Sequence, residues 1–215
     1  MEKQLYIKRF SESAEYRKKV WQVLIDNWFS KWIPDDVTIL DLGCGWGEFI
    51  NQIKAKKKYA IDLNADAKNH LNNDVHFINQ KCSDQWDVSD ESLDIVFSSN
   101  FFEHLPDKAT LSRTIQEAKR CLKSDGKIIC MGPNIKYVDG AYWDFWDHHL
   151  PLTELSLKEL FVLNDLYVII CINRFLPYTM SNGREFPLFF LHLYLMLPAI
   201  WPFFGKQYLV ICKKQ

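Results

Sequence analysis

The chain has 215 residues, 48% of them apolar, and a formal net charge of −1. That length suits a single α/β domain over residues 1–215, and the apolar share excludes wholesale disorder. The balanced charge supplies no general attraction to nucleic acid, so nucleic acid is not an expected partner.

Elements follow in chain order. The charged segment up to Lys19 lacks an apolar run of the kind a secretory signal needs. Glu12 to Trp32 reads as an amphipathic helix, with Tyr16, Val20, Val23, Leu24, Trp28 and Trp32 at three- and four-residue steps and Pro34 past its end. Residues 1–36 are thus read as a helical cap. Arg17 is expected on its solvated surface. Val37–Leu42 is a short apolar strand, followed by Gly43, Gly45 and Gly47 and a helix over about Glu48–Lys56. The lysines Lys54, Lys56, Lys57 and Lys58 read as a solvated helix end. Strands are predicted at Lys58–Leu63, Val75–Asn79, Leu93–Ser98 and Lys127–Gly132, with a helix over Asp107–Leu122 closed by the turn Ser124-Asp125-Gly126. Residues 134–155 form a loop rich in aromatics, Asp and His. A helix over Ser156–Leu163, with Ser156 and Glu159 as its capping box, leads to strands at Leu166–Ile172 and Gln207–Cys212.

Alternating strand and helix over the first 130 residues implies parallel strands joined by right-handed crossovers, hence a doubly wound, Rossmann-like α/β sheet. Ligands of such sheets bind beyond the C-terminal strand ends. There the glycines allow close backbone approach, Asp41 can accept from an ammonium group, and Asp62 can accept from both hydroxyls of a ribose. The spacing is GxGxG after Asp41-Leu42, not the GxGxxG of a nicotinamide or flavin site, so a dinucleotide oxidoreductase is disfavoured.

Four blocks, ILDLGCGWGEF, YAIDLN, CSDQWDVSDESLDIVFSSNFFEHLPD and CLKSDGKIICMGPN, run in order from Thr38 to Asn134. In them the chain resembles the class I S-adenosylmethionine-dependent methyltransferases, and within that class the small bacterial enzymes acting on sugars, lipids or quinone-like compounds. The resemblance implies a seven-stranded, mostly parallel sheet with an antiparallel last strand and helices on both faces. It implies S-adenosylmethionine as cofactor. Asp41, Gly43, Cys44, Gly45 and Gly47 would cradle the methionine part. Asp62 would hold the ribose, Leu63 would pack on the adenine, and Ser83 and Asp84 would meet the adenine edge. The backbone of Asn100 would lie near the sulfonium. Cys82-Ser83 departs from the acidic residue and alanine of many relatives, which shifts weight to Asp84.

A general base for an oxygen or nitrogen acceptor should lie beyond the fourth or fifth strand. Glu103-His104 in NFFEHLPD and the run Tyr142–His149 qualify. His104, His148 or His149 could take a proton near neutral pH, with Asp144 or Asp147 as orienter; a purely structural role for these histidines is the competing reading. Tyr142, Trp143 and Trp146 suit stacking on a sugar or a planar acceptor, or a lid without selectivity.

The uncharged segment Phe186–Gly205, within an insert over 176–206, is about long enough to span a bilayer. Pro187, Pro198 and Pro202 interrupt it, and strands on either side must join one sheet, which argues against a single crossing. Three readings stay open: packing on its own domain or a second subunit as a homodimer, lying in a membrane interface near a lipid-linked acceptor, or lining a greasy pocket. Six cysteines without CxxC pairs or Cys/His clusters of zinc spacing fit a reducing cytoplasm and suggest no metal. Expected, then, is cytoplasmic O-methylation of a small-molecule, sugar or lipid-linked glycan acceptor, either free in the cytoplasm or seated on the inner membrane face. The rival is a catalytically silent S-adenosylmethionine-binding subunit for interaction or membrane docking.

Overall fold

The computed structural model describes residues 14–178 and 185–215. Seven strands form one sheet: β1 (Thr38–Leu42), β2 (Lys57–Ile61), β3 (Val75–Ile78), β4 (Leu93–Ser99), β5 (Leu122–Pro133), β6 (Leu166–Ile172) and β7 (Gln207–Lys214). Their order is β3-β2-β1-β4-β5-β7-β6. Strands β1 to β5 pair in parallel, and β7 runs antiparallel between β5 and β6. The order reverses between β1 and β4, which opens a crevice at their C-terminal ends.

Period-two alternation sends side chains to two cores. Leu40, Leu42, Val96, Ile128, Cys130, Tyr208 and Val210 face α2 (Lys108–Cys121) and α4 (Glu154–Leu163). Ile39, Ile95, Phe97, Ile129, Met131, Leu209 and Ile211 face α1 (Ala14–Asn27) and the apolar insert. Helices therefore cover both faces, as the sequence pattern implies. Asp107 caps α2 by accepting the Thr110 amide at 2.6 Å.

Several local expectations are corrected. Residues 12 and 13 of the first predicted helix lie outside the described residues. The helix ends at Asn27 rather than Trp32, because the chain turns at Trp28 to bury Phe29 completely. No regular helix forms over Glu48–Lys56: Gly47 has φ +75°, and Phe49, Ile50 and Ile53 are all drawn into the core, so only turns fit before β2. The link from β2 to β3 is a 3₁₀ turn, Ala65–His70, and no helix joins β3 to β4. The capping box of α4 is Thr153 with Ser156, not Ser156 with Glu159: the Ser156 amide donates to Thr153 Oγ1 at 3.1 Å and the Thr153 amide donates to Ser156 Oγ at 2.9 Å. Strand β5 starts at Leu122, and the expected turn becomes an irregularity inside it, where pairing jumps from Leu93–Leu122 to Ile95–Lys127. The 134–149 segment holds α3 (Ile135–Val138) and a 3₁₀ turn, Asp139–Asp144. Arg17 is not on a solvated surface; its Nε donates to Glu48 at 2.9 Å, with both side chains largely buried.

The insert folds as α5 (Leu188–Met196), a 3₁₀ turn and α6 (Trp201–Phe204). Its inner side chains join the core. Trp201 meets Trp28 at 5.1 Å and Phe175 at 5.2 Å, and Tyr194 Oη donates to the Phe175 carbonyl at 2.8 Å. Burying a side chain of this size stabilises by about 1.5–3 kcal/mol. Among the described residues no helix is long and apolar enough to cross a membrane. All six cysteines are free, and only Cys171 is exposed.

Candidate active site

The glycine turn follows β1 and is backbone-built. Gly43, Gly45 and Gly47 all have positive φ, near 73°, 55° and 75°. At Gly43 a Cβ would lie 2.3 Å from the Phe101 ring, so the turn and the end of β4 are in direct contact. The Gly43 amide donates to the Ile61 carbonyl at 2.9 Å, tying the turn to β2.

Asp62 closes the same turn. Its Oδ2 accepts the Gly45 amide at 2.9 Å and its Oδ1 accepts the Asn64 amide at 2.8 Å. Each carboxylate oxygen retains a second acceptor site for a ligand hydroxyl. Asn79 Nδ2 donates to the carbonyls of Asp62 at 2.9 Å and Leu63 at 3.0 Å, which fixes the chain beyond β2. Leu63 then stands 69% exposed, an apolar surface at a strand end with nothing of the protein over most of it. Ser83 is half-buried and Asp84 exposed, at the tip of a turn braced by Trp86 Nε1 donating to the Cys82 carbonyl at 2.8 Å. Cys44 is buried, its thiol pushed up by burial first and then by Asp41 and Asp62.

Asp41 is buried, and its carboxyl is held well above the usual range, by burial first and then by the charges of Asp62 and Glu48. Asp62 is also raised, by burial, against the pull of its backbone donors. The negative charge that Asp62 adds around Asp41, with Glu48 partly offset by its ion pair to Arg17, disfavours an anionic pyrophosphate and favours a cationic ligand. Asn100, just past β4, takes φ +49°, a conformation that asparagine tolerates. Its amide donates to the Met131 carbonyl at 2.9 Å, while its buried Oδ1 has no hydrogen-bond partner among the described residues. Positive-φ glycines, the carboxylate trio, an exposed leucine and an orphaned acceptor fit a ligand with an ammonium group, a ribose and a positive sulfur.

A second cluster lies beyond β4 and β5. Glu103, His104 and His148 each place one ligand atom within 4.8 Å of the others. Glu103 is 2% exposed, its carboxyl pushed up to about 7 by burial, which outweighs the nearby His104. The Glu103 carbonyl accepts the amides of His149 at 2.8 Å and Leu150 at 3.0 Å, strapping the aromatic segment to the end of β4. His148 is wedged between Phe145, stacked at 4.8 Å, Tyr142 at 4.6 Å and His104 at 5.0 Å. His104 Nδ1 lies 2.9 Å from the Asp147 carbonyl and 3.4 Å from its carboxylate.

The predicted residues divide accordingly. His104 and His148 come together; His149 and Asp144 are exposed, and Asp147 rather than Asp144 contacts a histidine. Tyr142 is fully buried, its Oη donating to the Leu150 carbonyl at 2.7 Å, so its ring packs in the core instead of facing a ligand. Trp143 and Trp146 are exposed, at 58% and 83%. The sequence pattern placed the Glu103-His104 pair here but gave the chemistry to His104; that Glu103 is buried beside it was signalled only by the flanking Phe101-Phe102.

The fold, the glycine turn and Asp62 define a nucleoside-binding methyltransferase scaffold. The model of the methyltransferase-domain family matches residues 13–169, and the chain belongs to the class I S-adenosylmethionine-dependent methyltransferases, with S-adenosylmethionine as its cofactor. Similar solved structures agree on the fold. An S-adenosylmethionine-dependent methyltransferase from Thermotoga maritima has a TM-score of 0.70 at 15% identity, covering 98% of each chain. One from Archaeoglobus fulgidus scores 0.65 at 19% identity, covering 90% of this chain and 94% of the other. A Haloferax volcanii methyltransferase, solved with the Trm112 methyltransferase activator, scores 0.66 at 17% identity, covering 95% and 96%. No curated protein matches the chain.

Proposed function

We propose that the chain methylates an oxygen of a small hydroxylated acceptor, a sugar or a lipid-linked glycan. The observation that carries this reading is the Glu103–His104–His148 cluster beyond β4 and β5, with Glu103 and His148 buried and His104 half-buried. S-adenosylmethionine supplies an electrophilic methyl group and leaves as S-adenosylhomocysteine. The chain's own residues do the rest. Asp41 and the Gly43–Gly47 backbone receive the methionine part, Asp62 the ribose, Leu63, Ser83 and Asp84 the adenine, and Asn100 lies by the sulfur. The Glu103–His104–His148 cluster handles the acceptor's proton, which a hydroxyl must lose and a thiolate or carbanion need not. Trp143 and Trp146 offer exposed aromatic faces to the acceptor. The test uses methyl-labelled S-adenosylmethionine with monosaccharides, phenols and a lipid-linked sugar fraction. Label in an alkali-stable ether supports the proposal. Binding of S-adenosylhomocysteine without label in any acceptor class would make the chain a silent binder.

A second reading concerns place. The five buried thiols fit a reducing cytoplasm. The outer side of the insert exposes Phe186, Phe189, Phe190, Met196, Phe203 and Phe204, an apolar surface suited to a membrane interface near a lipid-linked acceptor. Leu195 is buried, so it belongs to the core and not to that surface. Co-sedimentation with anionic liposomes that Phe189→Ser with Phe203→Ser abolishes supports this reading; a native protein that stays in the supernatant removes it. Homodimerisation through the same face, or an activator protein of the kind bound in the Haloferax complex, would instead appear as a change in mass in solution.

A further inference from the structure

We propose that Glu103, His104 and His148 form a seat for one divalent first-row cation, such as Zn²⁺ or Mn²⁺, and that this cation takes an oxygen of the methyl acceptor. One ligand atom from each of the three residues lies within 4.8 Å of the other two. Metal bonds of about 2.0–2.2 Å set neighbouring ligand atoms roughly 3–4 Å apart, so the cluster needs to close by only about 1 Å.

Three further observations converge. Glu103 Oε2 is buried and has no hydrogen-bond partner among the described residues. A lone buried acceptor of this kind is costly to leave unsatisfied, and a cation satisfies it. His104 presents Nδ1 to the Asp147 carbonyl at 2.9 Å, which places its proton on that nitrogen and leaves the Nε2 lone pair available. A ring N–H held by a backbone carbonyl is the outer-shell arrangement that orients metal-bound histidines. Burial is also one-sided. Glu103 and His148 are closed off, at 2% and 6% exposed, while His104 is half-buried. The seat thus has an open flank for a ligand from solution, which a site closed on all sides lacks.

Two imidazoles with one carboxylate favour a transition cation over Mg²⁺ or Ca²⁺, which prefer oxygen. Such a cation acidifies a hydroxyl it holds. The acceptor's proton then leaves to water on the His104 side, and its oxygen stays positioned and negative. The substrate class that follows is an acceptor with a hydroxyl, or two adjacent oxygens, able to reach the cation.

Only the acceptor half of this inference rests on the methyl-transfer reading; the cation seat is tested without it. The full-length chain, stripped with EDTA, is titrated with Co²⁺ and followed by its visible d–d bands, with S-adenosylhomocysteine titrated in parallel. The expected result is one Co²⁺ per chain, competed by Zn²⁺. Glu103→Gln and His148→Gln each weaken it at least tenfold, while S-adenosylhomocysteine affinity stays within about twofold. Pulsed EPR of the Mn²⁺-loaded native chain gives a readout that needs no variant, and should show two imidazole nitrogens. Absence of stoichiometric Co²⁺ binding, or binding that both variants leave intact, overturns the seat. Turnover unaffected by EDTA in a chain that binds Co²⁺ overturns the acceptor role alone. Loss of S-adenosylhomocysteine binding in the native chain would count against the cofactor assignment and leave the seat standing.

Discussion

The two halves of the crevice are built differently. The side beyond β1 and β2 is made mostly of backbone: three glycines at positive φ, amides on Asp62, and Asn79 bracing two carbonyls. The side beyond β4 and β5 is made of side chains from segments over 40 residues apart, joined by ring packing and by the Glu103 carbonyl. Backbone geometry demands particular residue types at particular spacings, so it leaves a motif. Side-chain convergence depends on tertiary packing and leaves none. The first side tolerates little change; the second tolerates more, and its changes should appear in acceptor handling.

The largest expected effect tests the rigid side. Gly43→Ala must seat a Cβ 2.3 Å from the Phe101 ring at φ +73°. Strain of about 3 kcal/mol corresponds to ~100-fold weaker S-adenosylhomocysteine binding. Calorimetry that returned native affinity would show that the glycine turn does not form the site. Asp62→Asn comes next. An amide can keep one backbone donor but not both on equal terms, and affinity should fall about tenfold, with loosening of the Gly45–Asn64 region visible by hydrogen exchange.

On the other side, Trp146→Ala and Trp143→Ala should raise the acceptor KM about three- to tenfold, the worth of an aromatic contact, and leave S-adenosylhomocysteine binding unchanged. Tyr142→Phe is the contrasting variant. It removes the bond to the Leu150 carbonyl and should cost about 1 kcal/mol of folding stability by urea titration, without a selective rise in KM. A KM effect confined to Tyr142 would invert the assignment of lid and core.

The sheet was legible in the sequence because apolar runs and turn residues repeat along it. Strand β6 falls where the pattern put it, and β7 runs on to Lys214. The helix expected after the glycine turn was not, because Phe49, Ile50 and Ile53 carry a helical apolar pattern that tertiary burial spends on a turn. At the candidate site, spacing placed Gly43, Gly45 and Gly47 in a turn at the end of β1, with Asp62 beside it at the end of β2, and the structure has them there. The burial of Glu103 was signalled only by the flanking Phe101-Phe102, since its sequence does not show that Tyr142–Leu150 will fold over it. The insert's two faces were equally hidden: its sequence is apolar all round, and only packing separates Trp201 and Tyr194 from Phe189 and Phe203.

The smallest effects concern pH, and there two carboxyls, Asp41 under the glycine turn and Glu154 behind the 134–149 segment, should respond with opposite signs. Asp41 is raised by burial and by Asp62 and Glu48, so in the free protein it takes up a proton at a pH where the unfolded chain would not. Protonation of Asp41 as pH falls therefore relieves the glycine side, while a cationic ligand, which needs the carboxylate, must expel that proton. Calorimetry in buffers of different protonation heat should find proton release on binding, larger for S-adenosylmethionine than for S-adenosylhomocysteine; proton uptake would reverse the electrostatic account. Glu154 behaves in the other direction. Burial opposes its charge, yet Lys136 at 2.7 Å and Asn134 at 2.6 Å hold its carboxyl below the usual range. Its contribution is present above the unfolded carboxyl pKa and is lost as pH falls through the depressed folded value. Asn134 and Lys136 begin the segment leading to His148, so loss of this contact in acid should loosen the start of that segment, while protonation of the raised Glu103 relieves its far end. Glu154→Gln should start less stable near neutrality and show a flatter decline below about pH 4.5 in urea titrations. A variant that declined as steeply as the native chain would place the acid-sensitive contact elsewhere, with Asp94, held by Lys123 and the Thr38 amide, the next group to change.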